Sequence, residues 1–246
     1  MPTRIGEWCS TLTTPLIEAD PNAPDGSTVL ATFVYYDVGA DWVYLDANGL
    51  TDRDWFADGQ LVPLGDSGWW SITLRVDTRW RGAYGFISGS QPSGPPSGDA
   101  VVRRAWWVGL VAHTRPDPRN PAPTHHQPLG GELSEAAMPG APAQPWVPGP
   151  PEGLHRHTLD LNGVRRDVWT LTTGPHGTRR LAIAFDGRTW AERIPIAASI
   201  MAASASGALG PLALVLVDAV SPDLRARELT CSPEFRTAVA DSLVPW

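Results

Sequence analysis

The chain has 246 residues, of which 42% are hydrophobic and 18% charged, the composition of a folded protein rather than a disordered one. That length allows one large domain or two small ones, each able to bury a core. A formal net charge of −7 excludes nucleic acid as a default partner, because phosphate binding asks for a basic footprint.

Residues 1–27 read as an irregular lead, interrupted by Pro15, Pro21 and Pro24. From 28 to 88 the pattern is β. In STVLATFVYYD, the side chains of Val29, Ala31, Phe33 and Tyr35 share one face. DWVYLDANG reads as a second strand ending in the turn pair Asn48-Gly49, and GWWSITLRVD and RGAYGFIS as two more. Short strands at close spacing with Gly and Asp turns predict an all-β sandwich. A Gly/Pro/Ser loop over 89–100 precedes VVRRAWWVGLV, which predicts a short helix. Residues 116–153 are dense in Pro and Gly and read as a linker on the surface, with a domain boundary near residue 152.

The second region has a different pattern. HRHTLDL and VRRDVWTLTT flank Asn162-Gly163, a strong hairpin signal. Then come the strand Leu181–Phe185, a helix from about Thr189 to Ala203, and the strand LALVLVD. Ser232-Pro233-Glu234 has the form of a helix start, with an N-cap hydroxyl, a first-turn Pro and a first-turn acid. Strand–helix–strand–helix order with continuous apolar strands predicts a mostly parallel sheet covered on both faces. Residues 194–220 carry a single charge, Asp218, but two Gly and a Pro interrupt them, so a helix, a loop and a buried strand fit better than a membrane span. Cys9 and Cys231 form neither a CxxC pair nor a disulfide framework, and the start has no apolar core of signal-peptide length. The expectation is a cytoplasmic protein with two free thiols.

Several stretches together resemble the enterochelin (enterobactin) esterase family. They include Thr14-Pro15-Leu16-Ile17-Glu18, Thr32-Phe33-Val34-Tyr35, Asn48-Gly49-Leu50-Thr51-Asp52, residues 80–87 (WRGAYGFI) and Asp117-Pro118-Arg119-Asn120-Pro121. The linker string 138–146, MPGAPAQPW, is the most specific, since nothing in fold physics demands it. Arg166, Val168-Trp169, Asp186-Gly187 with Trp190, Asp218-Ala219 and residues 225–229 (RAREL) carry the resemblance through the second region. The resemblance implies an α+β two-domain protein. Residues 1–152 would form an immunoglobulin-like domain with its linker, and residues 153–246 the first part of an α/β-hydrolase domain of the esterase D type. The implied activity is hydrolysis of the trilactone esters of a ferric catecholate siderophore, which releases iron in the cytosol.

An α/β-hydrolase presents its nucleophile in a G-x-S-x-G turn, and no such string occurs in these 246 residues. The family's His and acidic partner also lie further downstream, so no catalytic nucleophile is assigned here and the chain alone is expected to be inactive on esters. The supporting parts remain. The loop after Leu181–Phe185 is expected to offer backbone N–H groups to an oxyanion hole, with Gly187 and Arg188 as the candidates; a plain turn at Gly187 is the alternative. Arg225 follows the strand LALVLVD, where ligands of open α/β sheets bind. By resemblance it contacts a substrate oxygen, and a salt bridge to Glu228 three residues on is the competing or concurrent role. Trp190 either shelters the site or packs as a core indole. Arg103, Arg104, Trp106 and Trp107 suit an anionic aromatic ligand through charge and ring contacts, or serve packing on a short helix. No cofactor or metal is expected. His155-Arg156-His157 and His125-His126 lack a convergent ligand set, and Gly65-Asp66-Ser67-Gly68 falls at a turn between strands.

Two other functions fit the same sequence: a carbohydrate esterase of the feruloyl type on the same architecture, and a non-catalytic binding module. The missing G-x-S-x-G half, as a separate polypeptide, or a second copy of the chain is the expected partner of the open edge along Leu181–Phe185. Otherwise the chain is expected to be poorly ordered after about residue 180.

Overall fold

The computed structural model describes residues 9, 11–126, 132–144, 152–194 and 196–246. The chain divides into two compact units, Met1–Ala143 and Gln144–Trp246. It is a mixed α/β protein in which antiparallel pairing predominates.

The first unit holds two four-stranded antiparallel sheets. One has the order β1 (Leu16–Ala19), β2 (Thr28–Tyr36), β5 (Trp69–Asp77), β4 (Val62–Pro63). The other runs β3 (Trp42–Ala47), β6 (Arg81–Gly89), β8 (Glu132–Ala137), β7 (His125–His126). The alternation read in β2 is realised: Val29, Ala31 and Phe33 are buried, and they meet Val43 and Leu45 of β3 and Tyr84 and Phe86 of β6 in one core. Tyr35 stacks on Phe86 with ring centroids 4.6 Å apart. The helix α1 (Ala100–Val111) starts where Asp99 caps it, its carboxylate accepting the Val102 N–H at 2.9 Å.

Two expectations are corrected here. The lead is not wholly irregular, because Leu16–Ala19 pairs antiparallel with β2. The Pro-rich stretch 116–153 is not simply a surface linker, because β8 lies within it and pairs with β6, burying Ser134 and Ala136. Residues 145–151, which include the end of the matched linker string, lie outside the described residues. The matched stretch Asp117–Pro121 has a structural role. Asp117 is buried, and its Oδ2 accepts the hydroxyls of Thr14 and of Tyr84, the latter at 2.7 Å. Asn120 Nδ2 donates to Tyr84 Oη at 3.0 Å and to the Glu135 carbonyl at 2.7 Å. A buried polar group must be paired in this way to be tolerated.

The second unit is a four-stranded sheet of order β11 (Arg180–Phe185), β12 (Leu212–Val217), β10 (Val164–Thr172), β9 (His155–Leu161). Asn162 and Gly163 adopt φ of 57° and 71°, which a two-residue hairpin loop of this kind requires. The expected mostly parallel sheet is corrected: only β11 and β12 run parallel, while β10 pairs antiparallel with both β9 and β12. A parallel return needs a crossover of a dozen residues or more, and only the segment between β11 and β12 supplies one. That crossover is not one helix. A π-helical turn (Thr189–Arg193) is followed by α2 (Ala197–Ala205), with Pro195, which cannot donate a helical hydrogen bond, in the sequence between them.

Both faces of this sheet are covered. One carries Trp169, Leu171, Leu214 and Leu216 under Ala191 and Ala197. The other carries Val168, Val215 and Val217 under Phe235 and Leu243, which belong to α4 (Pro233–Ala238) and the π-helical turn after it (Val239–Leu243). Ser232 caps α4 by accepting the Phe235 N–H at 3.2 Å. The helix before it, α3 (Pro222–Leu229), repeats the device: Ser221 accepts the Leu224 N–H at 3.2 Å. Glu228 of α3 is buried and forms a bidentate pair with Arg166 of β10, at 2.6 and 2.8 Å.

Removing one member of such a pair strands the other charge in the interior. Glu228→Ala is expected to destabilise the second unit by about 3–5 kcal/mol, read as a lower urea midpoint. The double replacement Arg166→Met with Glu228→Leu should recover most of that loss. In the first unit, burial raises the Asp46 carboxyl above its usual range, against a lowering hydrogen bond from the Thr114 hydroxyl. The folded state therefore holds this proton more tightly than the unfolded chain, and the advantage fades as pH rises through the raised value. Asp46→Asn should raise the thermal midpoint at pH 7 and leave it unchanged at pH 3.

Candidate functional site

The loop after β11 meets the start of α3 at the carboxyl ends of the two parallel strands. Asp186 adopts φ of 61°, a left-handed conformation that Asp tolerates better than most residues. Its carbonyl accepts the N–H of Thr189 at 2.9 Å and of Trp190 at 3.4 Å, which starts the helical turn. Gly187 is buried against β12. A Cβ there would lie 2.7 Å from the backbone of Leu216 and Val217. Glycine is required here for close approach to β12 and not for a turn of unusual φ. The N–H groups of Gly187 and Arg188 take no backbone acceptor among the described residues, as befits the first donors of a helical turn.

Charged side chains fix this loop from both sides. Arg225 of α3 donates through Nε to Asp186 Oδ1 at 2.6 Å and through Nη2 to Oδ2 at 2.8 Å. The pair with Glu228 read from spacing is corrected, because Glu228 faces the sheet and is taken by Arg166. The hydrogen bond to Asp186 holds the Arg225 proton more tightly than usual, against partial burial. Arg188 reaches the opposite way. Its Nη2 donates to Asp167 Oδ2 and Asp218 Oδ2, both at 3.0 Å. The guanidinium also lies 5.8 Å from the Trp169 ring centroid. Arg156 joins Asp167 from β9, and its hydrogen bond is the main reason the Asp167 carboxyl sits below its usual range. Trp190 donates its indole N–H to the Phe185 carbonyl at 2.9 Å and packs half-buried beside Ala191 and Leu216. The structure thus brings Gly187, Arg188, Trp190 and Arg225 together at one strand end.

The other sequence candidates belong to the first unit. On α1, Trp106 and Trp107 pack edge-on against Phe56, with Trp107 also against Tyr44. Arg103 Nη1 donates to Asp54 Oδ1 at 2.8 Å, and Arg104 is exposed. A cleft of about 760 Å³ is lined by Trp107 together with Asp46, Asn48, Asp52, Arg53 and Trp55, so the matched stretch Asn48–Asp52 forms part of its rim. The Ser67 hydroxyl of the Gly65–Gly68 string donates to the Leu64 carbonyl at 2.7 Å and accepts the Trp69 N–H, which makes it a turn residue. Among the described residues no three His, Cys, Asp or Glu side chains are grouped to hold a metal ion, and no helix is long and apolar enough to cross a membrane.

Sequence reasoning missed Asp186, Asp167 and Asp218 as the partners of the two arginines. The available signal was an Asp at the end of each apolar strand, Phe185-Asp186 and Val217-Asp218, in register across the parallel pair. Gly187→Ala is expected to cost the second unit about 1–3 kcal/mol by overpacking. Gly210→Ala, where a Cβ meets nothing within 4 Å, should be near neutral in the same denaturation assay.

Known proteins place this chain in a family. The family description "Enterochelin esterase, N-terminal" matches residues 30–147. The chain is 33% identical over 261 residues to an iron(III) enterobactin esterase of Dickeya dadantii, covering 95% of this chain and 58% of that protein. It is 30% identical over 271 residues to one of Yersinia enterocolitica, covering 98% of this chain and 74% of that protein. A solved ferric enterobactin esterase from Salmonella typhimurium superposes with a TM-score of 0.75 at 25% identity, over 97% of this chain and 65% of that one. The Shigella flexneri enterobactin esterase, solved in the presence of enterobactin, gives 0.71 at 25% identity over 99% and 66%. The chain therefore spans little more than half the length of the first of these relatives, and it belongs to the enterobactin esterase family.

Proposed function

We propose that this chain is the scaffold and substrate-side part of an esterase acting on the trilactone of a ferric catecholate siderophore in the cytoplasm. The observation that carries the reading is the turn at Gly187 and Arg188. Two amide donors that take no backbone acceptor among the described residues stand at a strand end, beside a fixed guanidinium. Donors preorganised in this way stabilise the oxyanion of an ester-cleaving transition state. Arg225 contacts a substrate oxygen, and Trp190 walls the same strand end. Arg103, Arg104 and Trp106 form a further ligand-binding group. In this reading residues 1–152 are the immunoglobulin-like domain with its linker, supported by the two antiparallel sheets around one core. Residues 153–246 are the first part of an α/β-hydrolase domain, supported by the β11–β12 crossover.

The nucleophile comes from polypeptide carrying G-x-S-x-G, because these 246 residues hold no such string. That polypeptide is the partner of β11, which lies at the edge of its sheet. An open strand edge offers a row of unpaired backbone groups to such a partner, and in its absence to a second copy of the chain.

Titration with ferric enterobactin should quench the tryptophan fluorescence of the chain, and Arg225→Ala should weaken that binding about tenfold, the effect of losing roughly 1.4 kcal/mol. The chain alone should not hydrolyse enterobactin. Joined to the C-terminal segment of the Dickeya dadantii relative, it should do so, and in preference to feruloyl-arabinose. Hydrolysis at enzymatic speed by the purified chain alone would refute the reading, and preference for the feruloyl ester would replace its substrate.

A further inference from the structure

We propose that Asp186 is the positioning residue for Arg225, setting which N–H groups of the guanidinium face a ligand. The inference rests on the reading of Arg225 as a substrate contact. Asp186 engages Nε and Nη2 with its two carboxylate oxygens at 2.6 and 2.8 Å, the bidentate geometry in which both planes are fixed. Nη1 has no partner among the described residues, and the Arg225 side chain retains 41% exposure. The open edge of the guanidinium is therefore the one bearing Nη1, and its direction is set by Asp186 and not by the flexible Arg stem. The same residue begins the loop. Its left-handed backbone, φ of 61°, presents its carbonyl to Thr189 and Trp190 while its carboxylate turns toward α3.

This arrangement determines the kind of ligand group selected. Arg225 is already neutralised by Asp186, and Arg188 is neutralised by Asp167 and Asp218. A ligand meets directed donors in place of free positive charge. The group that fits is a carbonyl or carboxylate oxygen placed in the guanidinium plane, and its recognition depends on geometry more than on the net charge of the ligand.

The test is a double-mutant cycle on the full chain, with 2,3-dihydroxy-N-benzoyl-serine as the probe and tryptophan quenching as the binding readout. Asp186→Asn keeps a side chain that tolerates the left-handed backbone and removes the charge. Asp186→Asn and Arg225→Ala are each expected to weaken binding about tenfold, and the double variant no further than either alone, because contacts that act as one unit are not additive. Arg225→Lys, which keeps the charge and loses the fork, should not restore binding. NMR of the 15N-labelled chain supplies a second readout that does not depend on the probe. The Arg225 Nε–H resonance should exchange with solvent at least about tenfold faster in Asp186→Asn, the loss of one charge-assisted hydrogen bond, while the amides of β10 and β12 keep their protection. Additive losses in the cycle, or an unchanged Nε–H signal, would overturn the proposal. Unchanged binding in Arg225→Ala with a faster Nε–H in Asp186→Asn would keep Asp186 as the orienting group and remove Arg225 from the substrate site.

Discussion

The second unit depends on one buried ion pair, Arg166 with Glu228. Two ions leave water to make it, a cost that attraction repays only with good geometry and further hydrogen bonds. The geometry is good and further hydrogen bonds are present, while the buried Nε of Arg166 has no hydrogen-bond partner among the described residues. The contact is bidentate, Arg166 Nη1 also donates to the Asp218 carbonyl at 3.2 Å, and the guanidinium lies 5.3 Å from the Phe235 ring centroid. The pair fixes how α3 is rotated on the sheet. Arg225, three residues before Glu228, lies about 60° around the helix from it by the 3.6-residue period. Glu228 faces the sheet interior, and Arg225 comes out at the strand end, over the loop that follows β11.

The loop is then held at three successive residues, by ion pairs at Asp186 and Arg188 and by packing at Gly187. Asp186 is tied by a charge-assisted fork to α3. Gly187 is held by contact, since it has no side chain to keep it off β12. Arg188 is tied by ion pairs to Asp167 of β10 and to Asp218, the residue after β12. Exposed ion pairs contribute little to stability, and Arg188 with 40% side-chain exposure is of that kind. Its place in the structure is better understood as direction than as energy. With both flanks tethered, the backbone between them has little freedom to turn its amide groups away from the strand end.

Much of the fold was legible from local pattern. The alternation of β2, the Asn162-Gly163 hairpin and the Ser232-Pro233-Glu234 helix start each follow from rules that span a few residues, and each stands in the structure. β8 was not legible. Glu-Leu-Ser-Glu-Ala-Ala sits among Pro and Gly and has a weak β pattern, and it becomes a strand because β6 offers a ladder and the core a place for Ala136. The helix start at Ser221-Pro222-Asp223 carries the same signature as the one at Ser232 and was open to the same reasoning.

The candidate site divides along the same line. The sequence by itself determined that an apolar strand ends at Asp186-Gly187, that another ends at Asp218, and that an arginine follows it at 225, because strand termini and caps are set by neighbouring residues. Only the tertiary structure decided which charge meets which. Spacing allowed Arg225 to pair with Glu228, yet Glu228 lies in the interior beside Arg166, where an unpaired carboxylate is far more costly than at the surface. That burial left Arg225 to Asp186, and burial is a property of the packed sheet that no local stretch of sequence contains.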